Sequence, residues 1–400
     1  MVIRNGTYSQ IKQSDLKMKK TDFSNNAPGK LIKTTQGYYA YIPNPLPPEL
    51  SWTPRLINLL TQAERSIARL EEVGQSFPVP HVLVRPFIRK EAVLSSQIEG
   101  TQTTFQNLLH YEAKQLTFLA EAPDAHEVQN YVKALDYGIE RIQALPMSMR
   151  LIKEIHAILL KDVRGELSTP GEIRRSQNWI GRPGATLENA RYVPPPVDEM
   201  KDGLSALEKF IHEDSDLPAL IRIGLIHYQF EAIHPFLDGN GRIGRLIITL
   251  LLTTWHILTQ PLLNLSIFIE RNKTEYYDRL LAVSLKAQWE EWLSFFLIGV
   301  HEQAQDTVLK INALLTLRVK YQQLFSNDRN REKLSEVVNY FITTPISSIS
   351  QAQQNTNLGS YTMIQRYFNK LLHYGVLEET TGGRRNRIFQ ASEILKILEE

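Results

Sequence analysis

Long segments of this chain space their apolar residues as a helix does, and short polar segments interrupt them. From Leu56 onward, apolar side chains recur three and four positions apart, beginning with Leu56, Leu59 and Leu60. That spacing places them on one face of a helix. The same pattern predicts further helices at 86–114, 125–143, 148–162, 197–213, 218–233, 242–258, 273–284 and 289–324. The periodicity therefore predicts a mainly α-helical protein.

Two segments depart from this pattern. Residues 1–45 are polar and lead into the proline-rich stretch PNPLPPEL, which predicts an irregular N-terminal arm. Residues 165–196 contain the turn signals Pro170-Gly171 and Arg182-Pro183-Gly184 between two extended-looking ends. Such a pattern is typical of a hairpin. We therefore expect a small β-hairpin to interrupt the helices there.

The apolar periodicity lapses at 327–331 and then resumes in a segment with its own organisation. A glycine, Gly375, closes the last of its helices in the manner of a C-cap. Two short strands follow around a Gly-Gly turn in the stretch VLEETTGGRRNRIFQ. The predicted helices cover 332–342, 350–355 and 360–374. Three helices and then a hairpin is the winged-helix order, so 331–400 is predicted to be a winged helix-turn-helix domain.

Composition narrows the class of protein and its location. The formal net charge of +2 over 400 residues indicates no overall attraction to nucleic acid or to an anionic membrane. The chain has no cysteine, which excludes disulfides and thiolate metal sites and fits a reducing compartment. The most apolar run, 246–252, is too short to span a bilayer, and the N-terminal residues lack a secretory-signal pattern. A cytoplasmic protein without a membrane partner is predicted.

Most of the unusual chemistry lies in HPFLDGNGRIGR, from His234 to Arg245. The motif separates two apolar helices, so its glycines lie where the second helix begins. A helix N-terminus carries free N–H groups and partial positive charge, and it therefore attracts anions. Arg242 and Arg245 lie three positions apart on one face of that helix. Two cations at the positive end of a helix predict a site for a polyphosphate.

The acidic and basic groups of the motif extend this prediction. Asp238 lies among positive groups, where a carboxylate is expected to hold Mg²⁺ against phosphate oxygens. His234 is the group able to accept a proton near neutral pH. The combination predicts transfer chemistry on a nucleotide, with His234 as general base.

Two other motifs are excluded at this site. The letters GNGRIG satisfy the dinucleotide pattern G-x-G-x-x-G, but a helix rather than a strand precedes them. His227, Glu231 and His234 do not have the H-E-x-x-H spacing, so zinc is not predicted.

The motif resembles the signature of the Fic family, H-x-F-x-[D/E]-G-N-G-R-x-x-R. The matching residues are His234, Phe236, Asp238, Gly239, Asn240, Gly241, Arg242 and Arg245. The resemblance implies a mostly helical fold. It also implies transfer of AMP from ATP to a Ser, Thr or Tyr hydroxyl of a target protein, including the protein itself.

The resemblance assigns roles by position. His234 would take the proton of the target hydroxyl, Asp238 would bind Mg²⁺, and Arg245 would contact the γ-phosphate. Tyr276 or Tyr277 would lie near the adenine. The hairpin at 165–196 would be the family's flap. The full set of implied nucleotide-binding residues is Gly239, Asn240, Gly241, Arg242, Ile243, Gly244, Arg245, Tyr276, Tyr277, Arg175, Ser176, Gln177 and Asn178.

A second match to the family lies upstream, in SSQIEG. Fic proteins often carry an inhibitory helix with the pattern [S/T]-x-x-x-E-[G/N], and Ser95, Glu99 and Gly100 satisfy it. Ser95 and Glu99 are four apart and share one helix face. The resemblance implies that Glu99 pairs with Arg245, so that ATP binds in an unproductive pose.

The resulting domain prediction has four parts: an arm at 1–45, an N-terminal helical region carrying the inhibitory helix at 46–125, a Fic core at 126–325 and the winged helix at 331–400. ATP and a target protein are the implied partners. A homodimer and DNA stay open. In the wing, Arg384, Arg385 and Arg387 are the candidates for DNA phosphate contacts. Two other functions also stay open, removal of AMP from a modified protein and nucleotide sensing by a DNA-binding regulator.

Overall fold

Helices contain most of the residues that the computed structural model describes, which confirms a mainly α-helical fold. The described residues are 18–114, 123–163, 169–182, 184–382 and 387–400. The helices are α1 (Pro54–Ser76), α2 (His81–Ile98), α3 (Phe105–Lys114), α4 (Pro123–Arg141), α5 (Met149–Leu159), α6 (Val197–His212), α7 (Ala219–Ile233), α8 (Asn240–Thr254), α9 (Leu265–Arg271), α10 (Lys273–Lys286), α11 (Trp289–Leu324), α12 (Arg331–Thr343), α13 (Ile349–Asn355), α14 (Tyr361–His373) and α15 (Ser392–Glu399). The strands are β1 (Gly29–Lys33), β2 (Tyr39–Pro43), β3 (Ile346–Ser348), β4 (Glu378–Glu379) and β5 (Ile388–Gln390).

The N-terminal arm contains a β-hairpin, so the prediction of an irregular arm is wrong for residues 29–43. Strands β1 and β2 pair antiparallel, with Gly29 opposite Pro43 and Lys33 opposite Tyr39. Tyr41 is fully buried, and its N–H donates to the carbonyl of Val193 at 2.9 Å. Local composition did not reveal the hairpin because its inner face is buried by residues far along the chain.

The predicted helix at 86–114 is two helices, α2 and α3. Gly100 has a φ of +103°, in the region that favours glycine, and it ends α2. Glu99 is the C-cap residue of α2. The break therefore places Glu99 at the end of a helix rather than in the middle of one.

The flap region has less β-structure than predicted. Across 169–182 and 184–196 the structure shows a single antiparallel bridge, between Ile180 and Tyr192, in place of two strands. Several backbone N–H groups that strand pairing would need are not available. The N–H of Arg174 donates to the carbonyl of Pro235, and Pro194–Pro196 have no N–H. The β-hairpin is not confirmed, and residues 165–168 and 183 lie outside the described part of the chain.

The C-terminal segment folds as α12, β3, α13, α14, β4, β5 and α15. Its strands form an antiparallel sheet in the order β3-β5-β4. Strand β3 and helix α15 were not anticipated by the sequence. Arg384 and Arg385 lie outside the described residues, whereas Arg387 lies within them. The elements have the order that a winged helix requires, and the assignment itself stays a prediction.

One continuous apolar core connects all these parts, from Met18 to Leu398. Helix α7 runs through its centre and is buried on nearly every side, and α8 packs against it. Along the described ranges, no helix is both long and apolar enough to cross a membrane. The motif thus connects two helices that are packed into this core.

Candidate active site

The motif forms the loop between α7 and α8. Helix α7 ends because His234 adopts a left-handed conformation (φ 49°, ψ 63°) immediately before Pro235. The amide of Asn240 then closes the loop, because its Oδ1 accepts from the N–H of Phe236 and its Nδ2 donates to the carbonyl of Phe236, both at 2.8 Å. Any contribution of Asn240 to phosphate binding is therefore left to its backbone.

His234 has a defined tautomer. Its Nδ1 lies 3.3 Å from the carbonyl oxygen of Glu231. A carbonyl can only accept, so Nδ1 carries the proton and Nε2 keeps a lone pair. The side chain is only 7% exposed, and burial lowers its pKa to about 3. At neutral pH, His234 is an uncharged imidazole with Nε2 able to accept a proton.

Two residues, Arg174 and Asn178, hold His234 in place, and we call the segment 174–178 the flap base. Arg174 donates from Nε to the His234 carbonyl at 3.0 Å, and Asn178 donates from Nδ2 to the same oxygen at 3.1 Å. Arg174 is 1% exposed and also donates to the carbonyls of Ser176 and Pro195. Its neighbour Arg175 is exposed and pairs with a glutamate. Sequence reasoning missed Arg174, since two adjacent arginines give no sign of which one is buried.

The four flap residues predicted to contact the nucleotide have different surroundings. Asn178 contacts the motif loop, and Gln177 donates to the carbonyl of Pro194 at 2.9 Å. Ser176 offers its carbonyl to Arg174, and Arg175 faces solvent. A direct contact of these side chains with the nucleotide stays a prediction.

Asp238 is held by its own loop and remains accessible. Its Oδ1 accepts from the N–H of Gly239 at 2.6 Å and lies 3.5 Å from Arg242. The side chain is 35% exposed. Among the described residues, no cluster of three or more His, Asp or Glu could hold a metal by itself. A single accessible carboxylate fits Mg²⁺, which takes one or two protein carboxylates and fills its other positions with phosphate oxygens and water.

Arg242 is paired inside the protein. Its guanidinium forms an ion pair with Glu127 of α4, and both side chains are almost completely buried. The Nε of Arg242 has no hydrogen-bond partner among the described residues. The sequence offered no signal for Glu127, because it lies 115 positions away on a different helix.

Arg245 contacts the predicted inhibitory residues. Its Nε donates to the hydroxyl of Ser95 at 2.9 Å, and its NH2 donates to the carbonyl of Ser95 at 2.9 Å and to Oε1 of Glu99 at 2.8 Å. A methyl group at Gly241 would overlap the Glu99 carboxylate and lie 3.0 Å from NH1 of Arg245. The carboxylate of Glu99 therefore lies against the first turn of α8, where the sequence predicts a phosphate.

Both predicted tyrosines lie beside this cluster on α10. Tyr276 is fully buried and its hydroxyl is 2.8 Å from Nε2 of His227, while Tyr277 is partly exposed. A contact of either tyrosine with the adenine stays a prediction. Ile243 is packed in the core, and Gly244 has no room for a side chain because the carboxyl of Glu231 lies against it. Burial raises the pKa of Glu231 to about 8.

The sequence of this chain matches known family models and curated proteins. The model of the Fic/DOC family N-terminal domain matches residues 57–140, and the Fic/DOC family model matches residues 146–252. The protein adenylyltransferase Fic of Drosophila virilis is 28% identical over 203 residues, which cover 48% of this chain and 40% of the relative. The Drosophila willistoni protein of the same name is 28% identical over 159 residues, which cover 39% of this chain and 30% of the relative. The chain spans less than half the length of these curated relatives.

Solved structures show the same fold. A Fic family protein from Desulfovibrio desulfuricans G20 matches with a TM-score of 0.57 and 20% identity, over 86% of this chain and 98% of that one. Fic-1 from C. elegans matches with a TM-score of 0.50 and 17% identity, over 65% of this chain and 74% of that one. Residues 57–140 and 146–252, which include the complete motif, thus contain an N-terminal domain and a core domain of the Fic/DOC type in sequence order.

Proposed function

We propose that this protein transfers AMP from ATP to a Ser, Thr or Tyr hydroxyl of a target protein. The observation that carries the proposal is the arrangement at the start of α8. A neutral histidine with a free Nε2, an accessible carboxylate and two arginines converge on one helix N-terminus. The curated relatives are named protein adenylyltransferases, which supports the same activity.

In the proposed reaction the target hydroxyl oxygen attacks the α-phosphorus of ATP. The bond between the α-phosphorus and the bridging oxygen breaks, and pyrophosphate leaves. The hydroxyl proton goes to Nε2 of His234. Asp238 would hold Mg²⁺, which supplies charge neutralisation on the phosphates when bound. Arg242 and Arg245 would stabilise the charge of the outer phosphates, with Arg245 on the γ-phosphate.

The same proposal includes autoinhibition by Glu99. Arg245 cannot offer its buried guanidinium to a γ-phosphate in the same way while its NH2 contacts the Glu99 carboxylate. The carboxylate also lies against Gly241, where a phosphate would approach α8. ATP would then bind with its γ-phosphate displaced and its α-phosphorus out of line with the hydroxyl.

For the C-terminal segment we propose a winged-helix domain that docks a protein rather than DNA. Its α14 would be the recognition helix. Lys370 of α14 is paired with Asp328 at 2.6 Å, so part of the positive charge of this helix is already neutralised. A duplex binder needs basic side chains that face the phosphates.

The test uses ATP labelled at the α-phosphate and, in parallel, ATP labelled at the γ-phosphate, each incubated with the full chain and candidate target proteins. We expect covalent label from the α-phosphate only, and none with His234→Ala. The matched control is His212→Ala, which removes a histidine bonded to a distant carbonyl, that of Met147. Label from the γ-phosphate, or label that persists in His234→Ala, would contradict the proposal. Release of AMP from a pre-modified protein without any labelling would favour the reverse reaction.

A further inference from the structure

A second histidine, His156 of α5, contacts the motif loop from the core. It is completely buried, and its ring stacks on Phe236 with the centroids 3.8 Å apart. Its Nδ1 lies 2.8 Å from the N–H of Gly171, which can only donate. Its Nε2 lies 3.0 Å from the carbonyl oxygen of Asp238, which can only accept. The two partners require one neutral tautomer, with the proton on Nε2.

The bond from His156 determines the orientation of one peptide group. In a trans peptide the C=O and the following N–H point in opposite directions. The Asp238 carbonyl points into the core at His156, so the Gly239 N–H points the other way, to Oδ1 of Asp238 at 2.6 Å. His156 thereby determines the direction of the donor that holds the Asp238 carboxylate.

This peptide would otherwise be free to turn over. Gly239 has a φ of +79°, and a glycine adopts positive and negative φ about equally well. Turning the peptide by half a revolution would direct the Asp238 carbonyl oxygen at its own carboxylate and remove the N–H from it. The His156 bond opposes that rotation, because the flipped peptide would leave a buried imidazole N–H without a partner.

We propose that His156 is a positioning residue for Asp238. By locking the Asp238–Gly239 peptide, it holds the carboxylate ready for a divalent cation bound with the phosphates. The inference rests on the proposed metal-binding role of Asp238. Through the N–H of Gly171 it also ties the flap to this carboxylate.

The test measures cation binding rather than AMP transfer. Mn²⁺ is titrated into the full chain in the presence of saturating ADP and followed by electron paramagnetic resonance. His156→Phe keeps a ring against Phe236 and loses both hydrogen bonds, and His156→Gln restores an amide donor. Partners of metal ligands typically contribute ten- to hundredfold to metal affinity. We expect about a tenfold weaker Mn²⁺ affinity for His156→Phe and a recovery of most of that loss for His156→Gln.

The control is His212→Phe, which removes a bond from a histidine Nε2 to a distant carbonyl. Its Mn²⁺ affinity should equal that of the unmodified chain. An unchanged affinity in folded His156→Phe would overturn the inference, and so would failure of the unmodified chain to bind Mn²⁺ with ADP. If the protein binds Mn²⁺ in this way but transfers no AMP, the proposed function fails while the inference stands.

A second measurement needs no substitution. The ¹⁵N chemical shifts of His156 in the unmodified chain report which ring nitrogen carries the proton. We expect a protonated Nε2 and a bare Nδ1 at pH 7. Observation of the opposite tautomer would overturn the inference even if the variants fail to fold.

Discussion

At the scale of single residues, the proposed regulation depends on Arg245, for which Glu99 and the γ-phosphate of ATP would compete. The side chain of Arg245 is 1% exposed, and its NH1 has no hydrogen-bond partner within the described ranges. Glu99 is 10% exposed and is the C-cap residue of α2. Under the proposed autoinhibition, the buried arginine stays in place and the γ-phosphate takes the position of the Glu99 carboxylate.

Removing Glu99 should activate the protein under the proposed mechanism. A hydrogen bond between charged groups contributes about 1.5–3 kcal/mol, which corresponds to roughly a 10- to 100-fold change in an equilibrium. Glu99→Gly should raise the rate of α-label transfer by about that factor. Glu99→Gln, which keeps the shape and loses the charge, should give a smaller increase. Equal rates in Glu99→Gly and the unmodified chain would refute inhibition by this contact.

Buried neutral histidines make the stability depend on pH. Burial lowers the pKa of His227 to about 3, from an ordinary value of 6.5. Below pH 6.5 the unfolded chain takes up a proton at this residue and the folded chain does not, so stability falls as the pH falls toward 3. In His227→Gln, the free energy of unfolding should depend less on pH between 6.5 and 4.5, by up to about 1.4 kcal/mol per unit. Urea titrations at several pH values measure this difference, and parallel curves for the two proteins would refute it.

At the scale of elements, the flap base and the motif loop behave as one unit. Arg174 donates hydrogen bonds to the carbonyls of His234, Ser176 and Pro195. Among the described contacts it has no carboxylate partner. Asn178 adds bonds to His234 and Phe236. A target segment that docks on the flap would therefore act on the same backbone that positions His234, the proposed general base.

The planar fork of Arg174 is expected to be essential for that unit. Lysine has a single ammonium group and cannot reach carbonyls in three directions with the same geometry. Arg174→Lys should lower the rate of α-label transfer about tenfold and the unfolding free energy by about 1–3 kcal/mol, because buried carbonyls lose their donors. Arg150→Lys, at an exposed position of α5, is the control. Arg174→Lys with full transfer activity would show that the fork is not needed.

At the scale of the whole molecule, the C-terminal segment is attached to α2, the helix that ends at Glu99. Two adjacent basic side chains of α2, those of Arg89 and Lys90, donate hydrogen bonds at the ends of two helices of this segment. Arg89 donates to the carbonyl of Thr343, at the end of α12, at 2.7 Å. Lys90 donates to the carbonyls of Leu398 and Glu399, at the end of α15. Helix C-termini carry partial negative charge, so these contacts are favourable.

Weakening the contacts between α2 and the C-terminal segment should therefore loosen α2 and, with it, the contact of Glu99 with Arg245. In Lys90→Met the carbonyls at the end of α15 lose a buried donor. We expect faster amide hydrogen exchange in residues 81–98 and, under the proposed inhibition, a higher rate of α-label transfer. Lys320→Met is the control, because Lys320 pairs with Glu393 of α15 from α11 and does not involve α2. If Lys90→Met raised the rate by the same factor in a protein that already carries Glu99→Gly, the effect would not act through Glu99, and the prediction would be wrong.

The sequence by itself determined most of the helices, the motif and its flanking caps, because helical periodicity and capping are local. Positions three or four apart on one helix decide which face is buried. The His234-Pro235 step ends α7 and Gly239 starts α8, each by its own backbone preference. Ser95 and Glu99 were found because the short stretch SSQIEG resembles the family's inhibitory pattern.

Only the tertiary structure decided which distant side chains form hydrogen bonds and ion pairs with the motif. His156 reaches Asp238 across 82 positions, Arg174 reaches His234 across 60, and Glu127 reaches Arg242 across 115. No local pattern distinguishes these side chains from ordinary core or surface residues. Their roles depend on buried carbonyls and charges that need partners, and such needs exist only after distant segments have packed together and excluded water.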